Sequence, residues 1–217
     1  MCPRNSWNIR KGFWVSLTMN DFLFVDNWFY NKYFTKLEQG HRFWTMQTAI
    51  ALFLQAGGKN IVETGCLRME NDWGAGMSTL VFADIATTYD KDLYSVDINK
   101  GNLDIAQDMI QKYLSHYRRP FLITSDSVQY LKDFGMPIDL LYLDSLDFDF
   151  DNPSFAQDHC LSEVEAAYSV LSRKAVVLFD DNRLPNGGKP AKAKLWLQEK
   201  GWKCIMDYHQ SLWVREL

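Results

Sequence analysis

Two short runs constrain this chain most. Leu140-Leu141-Tyr142-Leu143 and Val176-Val177-Leu178-Phe179 are almost wholly apolar. A strand with apolar side chains at every position must be covered on both faces, which is the situation of a central strand in a parallel sheet. Between such runs the apolar residues switch to helical spacing, at Leu103, Ala106, Ile110 and Leu114 and again at Val164, Ala167, Val170 and Leu171. Strand candidates lie at 60–64, 93–97, 121–124, 138–144, 175–180, 202–208 and 211–215. Strands alternating with helices imply right-handed crossovers and an open α/β sheet. The last two candidates are joined through His209-Gln210, too short for a crossover, so the final strand is expected to run antiparallel.

The N-terminal quarter has a different character. Residues 7–44 carry six Phe, four Trp and two Tyr, and a helix is expected from about Arg42 to Gln55, ended by Gly57-Gly58. The chain therefore divides into an aromatic-rich helical layer at 1–58 and a sheet domain at 59–217. The layer either packs on the sheet or forms a lid over a pocket. At 217 residues and 47% hydrophobic the chain can build one sizeable core. Its net charge of −4 provides no field for holding nucleic acid. The four cysteines are too widely spaced for paired zinc ligands and read as reduced thiols. No run approaches the ~18 apolar residues of a membrane span. Residues 1–11 hold no unbroken apolar stretch of signal-peptide type. A soluble, cytoplasmic protein with no membrane partner is the expectation.

In an open α/β sheet, ligands bind beyond the carboxyl ends of the strands. Glu63-Thr64-Gly65 ends the first strand, and Gly74-Ala75-Gly76-Met77-Ser78-Thr79 opens the next helix, with Ser78 or Thr79 as its cap. Asp97 ends the second strand and suits a ribose diol. Asp126 and Ser127 follow the third, Asp144 the fourth, and Asp180, Asp181 and Asn182 the fifth. The glycine turn of a dinucleotide site is broken by the stretch from Cys66 to Trp73, and Glu63 would repel a pyrophosphate. The acidity instead suits S-adenosylmethionine, which carries a sulfonium, an amine and a ribose diol.

These residues resemble a family. Val62-Glu63-Thr64-Gly65 through Gly74-Ala75-Gly76, followed by Val96-Asp97, looks like the first two motifs of class I S-adenosylmethionine-dependent methyltransferases. The runs 139–144 and 177–187 are similar to the metal motifs of the catechol and caffeoyl-CoA O-methyltransferase branch. The resemblance implies a Rossmann-like sheet. It implies that Glu63, Thr64, Gly65, Gly76, Ser78, Asp97, Asp126, Ser127 and Asp144 surround the cofactor. It also implies that Asp144, Asp181 and Asn182 bind Mg²⁺ or another divalent metal, with Asp180 as the substitute ligand of the related sugar O-methyltransferases. Two departures stand out. The first loop is longer than usual, and Asp147 occupies the place of that branch's catalytic lysine.

The activity this implies is metal-assisted O-methylation of a small hydroxylated acceptor, a phenol or a sugar, with Asp147 or His159 as base. His159 is expected at the start of the helix before the fifth strand, four residues from Glu163. The alternatives are a metal-independent methyltransferase acting on nitrogen, a carboxylate or a peptide, and a non-catalytic binding protein of the same fold. A homodimer is compatible with each. His41, His116 and His209 read as structural or surface residues, and Gly187-Gly188-Lys189 as a mobile turn whose flanks do not match a phosphate loop.

Overall fold

A computed structural model describes residues 25, 27–37, 41–74 and 77–215. The elements run α1 (Asn27–Tyr33), α2 (Arg42–Gln55), β1 (Asn60–Thr64), α3 (Ser78–Thr88), β2 (Asp92–Asp97), α4 (Lys100–Tyr113), β3 (Phe121–Thr124), α5 (Ser127–Asp133), β4 (Ile138–Leu143), α6 (Pro153–Ala167), β5 (Leu171–Phe179), α7 (Ala191–Glu199), β6 (Lys203–Asp207) and β7 (Ser211–Val214). The seven strands form one sheet in the order β3-β2-β1-β4-β5-β7-β6. All neighbouring pairs from β3 to β5 are parallel, and β7 lies antiparallel between β5 and β6. The open α/β sheet with its reversed final strand is as the sequence pattern anticipates.

The two apolar runs became β4 and β5, and their alternate residues feed opposite layers. Leu140, Tyr142, Val176 and Leu178 enter the core shared with α2, α3 and α4. Leu141, Leu143, Val177 and Phe179 enter the core shared with α6 and α7. This is the two-residue period of a strand buried on both sides. The described part of the N-terminal layer belongs to the first core through Phe29, Tyr33, Phe43, Met46 and Phe53, and α2 lies against β4, β5 and β7. The aromatic residues before position 25 fall outside the described residues.

Local details depart from the sequence reading. β5 begins at Leu171, four residues before the expected Ala175. Neither Ser78 nor Thr79 caps α3. Met77 holds the cap position, and the Thr79 hydroxyl accepts a bond from Leu67 N at 2.9 Å. α6 starts at Pro153, which has no N–H to leave unpaired there, so His159 falls inside the helix rather than at its start.

The turn after β5 folds back tightly. Gly188 has φ +70°, and a Cβ there would sit 2.0 Å from the carbonyl oxygen of Asp181. Gln157 Nε2 donates to the carbonyls of Asn186 and Gly188 at 3.1 and 3.2 Å. The expected mobile turn is therefore a pinned one. Gly188→Ala should cost about 3 kcal/mol or more, combining backbone strain with overlap against main chain. Gly135, whose added Cβ would meet nothing within 4 Å, should tolerate alanine with little loss. Urea unfolding of the two variants checks the contrast.

Candidate active site

The ends of the parallel strands are held level by main-chain bonds. Gly65 N donates to Val96 O, Asp144 N to Thr64 O, and Asp180 N to Leu143 O, at 2.8, 3.0 and 3.1 Å. The residues that follow these strands are thereby brought to one edge, at the β1/β4 switch point where strand order reverses. Two neighbouring regions result, one around β1 to β3 and one around β4 to β7.

The first is an open cleft whose walls include Asp97, Ile98, Asp126, Ser127, Leu146 and His159. The Asp97 carboxylate accepts from Asn99 N at 2.7 Å and Cys66 N at 3.2 Å, and the Asn102 amide reaches both of its oxygens. These bonds fix its orientation at the cleft. Asp126 caps α5 by accepting from Gln129 N at 2.8 Å. Ile98 is 77% exposed, an apolar side chain left uncovered beside the carboxylate. Sequence reasoning stopped at Asp97 and missed Ile98. Its signal was an isoleucine just past a strand end, where turn residues are usual. Gly65 lines the cleft but has a second duty. At φ +76° it packs so close that a Cβ would lie 2.3 Å from Asp144 O.

Glu63 and Thr64 lie beneath this cleft, wholly buried. Burial pushes the Glu63 carboxyl up to about 7, against the hydroxyl bonds that favour its charge. Ser95 Oγ donates to one of its oxygens at 2.6 Å, while the other has no partner. Ser78 is also nearly buried. Gly76 lies outside the described residues. The donor set suits a ribose diol beside an apolar ring: a fixed carboxylate, an exposed aliphatic face, and no lysine or arginine among the lining residues that would match a pyrophosphate.

His159 borders the same cleft. Its Nε2 lies 3.0 Å from Ser145 Oγ, 3.2 Å from Ser127 Oγ and 3.5 Å from Glu163 Oε1. The neighbouring Glu163 raises its pKa, with burial opposing. It bridges the ends of β3 and β4. Asp147, the other candidate base, is exposed and paired to Arg68 at 2.9 Å, away from the buried cluster.

The second region is a knot of charge. Asp180 is buried. Arg42 Nη2 lies 3.1 Å from its Oδ1, Tyr142 Oη donates to its Oδ2 at 2.5 Å, and Gln210 Nε2 donates at 3.3 Å. His209 Nε2 stands 3.3 Å from both Asp180 Oδ1 and Asp181 Oδ1, and 3.0 Å from Arg42 Nη2. The two carboxylates push His209 up to about 9, with burial and the Arg42 charge opposing them. Lys189 Nζ bridges Asp144 Oδ1 at 2.8 Å and Asp181 Oδ2 at 2.9 Å. Burial opposes its charge, yet the pair of carboxylates raises its pKa. Asp144 is pushed up to about 7, by burial first, with Lys189 pulling the other way and Asp180 and Asp181 adding to the rise.

The expectation of a mobile turn at Lys189 is corrected here, and His209, read as structural or surface, joins the charged cluster. His209 is held in the β6–β7 hairpin, whose carbonyl accepts from Asn182 N at 2.7 Å, and it enters the cluster. Lys189 is 6% exposed.

The metal set implied by resemblance does not assemble. Asn182 turns away, its amide donating to Asp207 Oδ1 and Tyr208 O at 2.6 and 2.7 Å, and its oxygen accepting from Lys194 Nζ at 2.6 Å. Asp144 and Asp181 already share an ammonium. Among the described residues, ligand atoms of Asp180, Asp181 and His209 do fall within 4.8 Å of one another. Arg42 and Lys189 touch the same groups, however, and a divalent ion there would meet several kcal/mol of repulsion from them. The residues present do not fit the ion.

Two outcomes are expected. Arg42→Met leaves Asp180 buried beside fewer cations, which should cost about 3–5 kcal/mol in urea unfolding. For His209, the folded-state pKa is above the unfolded one. Its contribution is complete below about pH 6.5 and is lost as pH rises through about 9. Stability of His209→Gln measured between pH 6.5 and 9 should fall less steeply than that of the unaltered chain.

Residues 72–182, just over half of the chain, match the family described as methyltransferase domain. No curated protein matches the chain by sequence. Among solved structures, the O-methyltransferase NovP superposes with a TM-score of 0.58 at 13% identity, covering 78% of this chain and 77% of NovP. The SAH-bound methyltransferase PaMTH1 of Podospora anserina gives 0.56 at 15% identity, over 90% of this chain and 86% of its own. The N-methyltransferase NodS of Bradyrhizobium japonicum gives 0.51 at 12%, over 88% and 98%. Identities this low speak for the fold, and the matched family speaks for the membership: the chain belongs to the methyltransferase-domain family.

Proposed function

We propose that this chain methylates a hydroxyl of a small hydroxylated molecule, a phenol or a sugar. The observation that carries the cofactor side is the Asp97 carboxylate, fixed by Cys66 N, Asn99 N and Asn102 at the mouth of a cleft with no lysine or arginine among its described lining residues. Asp97 would hold the ribose hydroxyls, with Ile98 and Leu146 against the adenine and Asp126 and Ser127 at its edge. Bound S-adenosylmethionine would supply an electrophilic methyl on a sulfonium. The protein's share of the chemistry is alignment, since an in-line displacement depends on holding the two reacting centres on one axis.

His159 is better suited to bracing the cleft than to serving as base, because its Nε2 is already shared by two serine hydroxyls. The acceptor would approach from the β4–β5 side, where Asp144 adjoins Gly65. The Mg²⁺ implied by resemblance enters no step, because Lys189 and Arg42 already hold the carboxylates it would need. Among the described residues no helix is long and apolar enough to cross a membrane.

Calorimetric titration with S-adenosylhomocysteine should give micromolar binding, and Asp97→Ala should weaken it about tenfold to a hundredfold, the worth of hydrogen bonds to a charged group. Absence of binding to the unaltered chain would sink the cofactor assignment. Methyl transfer confined to amines, carboxylates or peptides would replace the hydroxyl acceptor with the alternative.

A further inference from the structure

We propose that Lys189 is the resident cation of the Asp144–Asp181 pair, so that this chain works without the divalent ion its sequence motifs imply. The two carboxylates belong to the ends of different strands, and Nζ lies between them at 2.8 and 2.9 Å. Lys189 is 6% exposed, so its ammonium is held among these carboxylates and away from solvent.

The surrounding turn is built to deliver it. Asp181 has φ 51°, in the left-handed region, and sends the chain away from β5. Gly188 returns it by passing against Asp181 O, closer than any side chain would permit. Lys189 N then donates to that same carbonyl at 3.3 Å. The clamp of Gln157 on Asn186 and Gly188 holds the return from the α6 side. Asn182, which would complete an oxygen cage, is fully engaged with Asp207, Tyr208 and Lys194. Arg42 balances Asp180 from the opposite side.

The substitution has a consequence for the acceptor, which rests on the methyl-transfer reading. An ion with open coordination positions gathers two neighbouring hydroxyls at once. An ammonium has three N–H donors, and two are directed to Asp144 and Asp181 here. A vicinal diol therefore gains no chelate advantage, and a molecule with a single acceptor hydroxyl should serve as well as a diol.

Manganese(II) is the probe, titrated into the full chain without cofactor and followed by electron paramagnetic resonance and thermal melting. The unaltered chain should take up no ion at millimolar concentration. Lys189→Ala should gain binding, with a rise in melting temperature of about 5 °C at saturation. Lys189→Arg, which keeps the charge, should gain none. Micromolar binding to the unaltered chain that Asp181→Asn abolishes would overturn the proposal, and so would a folded Lys189→Ala that takes up no ion. If Lys189→Ala does not fold, the titration of the unaltered chain against Asp181→Asn still decides. S-adenosylhomocysteine binding is read separately, so a failure of the cofactor assignment leaves this result standing.

Discussion

Three carboxylates converge at the ends of β4 and β5, and their mutual repulsion sets the terms for everything around them. Asp180 is buried, and Asp144 and Asp181 are partly buried beside it, so little water screens the three from one another. Three such charges persist only if matching cations are brought in, because desolvating an unpaired ion costs far more than a pair recovers. The fold supplies their partners from three distant places: the cations Arg42, from the first turn of α2, and Lys189, from the turn before α7, and the imidazole of His209, from the β6–β7 hairpin. The N-terminal layer, the β5–α7 connection and the closing hairpin are thus joined at one point. Thr45 and Gln210 extend the join, with the Thr45 hydroxyl donating to the Gln210 amide oxygen at 2.5 Å.

The cleft around Asp97 follows the opposite logic. Its acidic groups have no lysine or arginine among the cleft's lining residues. They are managed by hydroxyls, main-chain N–H groups and partial neutralisation: Ser95 serves Glu63, and main-chain donors serve Asp97. Burial, with the charge of Asp97 adding to it, lifts Glu63 toward neutrality. One edge of the sheet therefore holds a charge-balanced cluster beside a cleft of fixed acceptors.

Legibility in the sequence varied with how local the deciding force was. The strands were readable because an apolar run at every position has few other solutions, and Asp97, Asp126 and Asp144 were readable because strand ends meet ligands in open sheets. Arg42 carried no signal, because an arginine at the expected start of a helix reads as an ordinary solvated residue. His209 carried none because a hairpin of two residues gives no hint of which side chain turns inward. Lys189 was misread through its glycines, which look like freedom in a sequence but serve here as a close main-chain contact. Asn182 failed as a ligand for a tertiary reason: Asp207 and Tyr208 of the final hairpin take its amide.

The sequence by itself determined the layered sheet, its parallel order with a reversed last strand, the acidic residues at the strand ends and the preference for a phosphate-free cofactor. Periodicity and turn chemistry act over a few residues and are written directly into the chain. Only the tertiary structure decided what neutralises the carboxylates, because charges separated by 138 positions, as Arg42 and Asp180 are, become neighbours only when the whole sheet has closed around them. A pair of aspartates at strand ends reads the same whether a metal ion or a lysine lies between them. Which of the two it is depends on the path of a turn, and that path is set by packing.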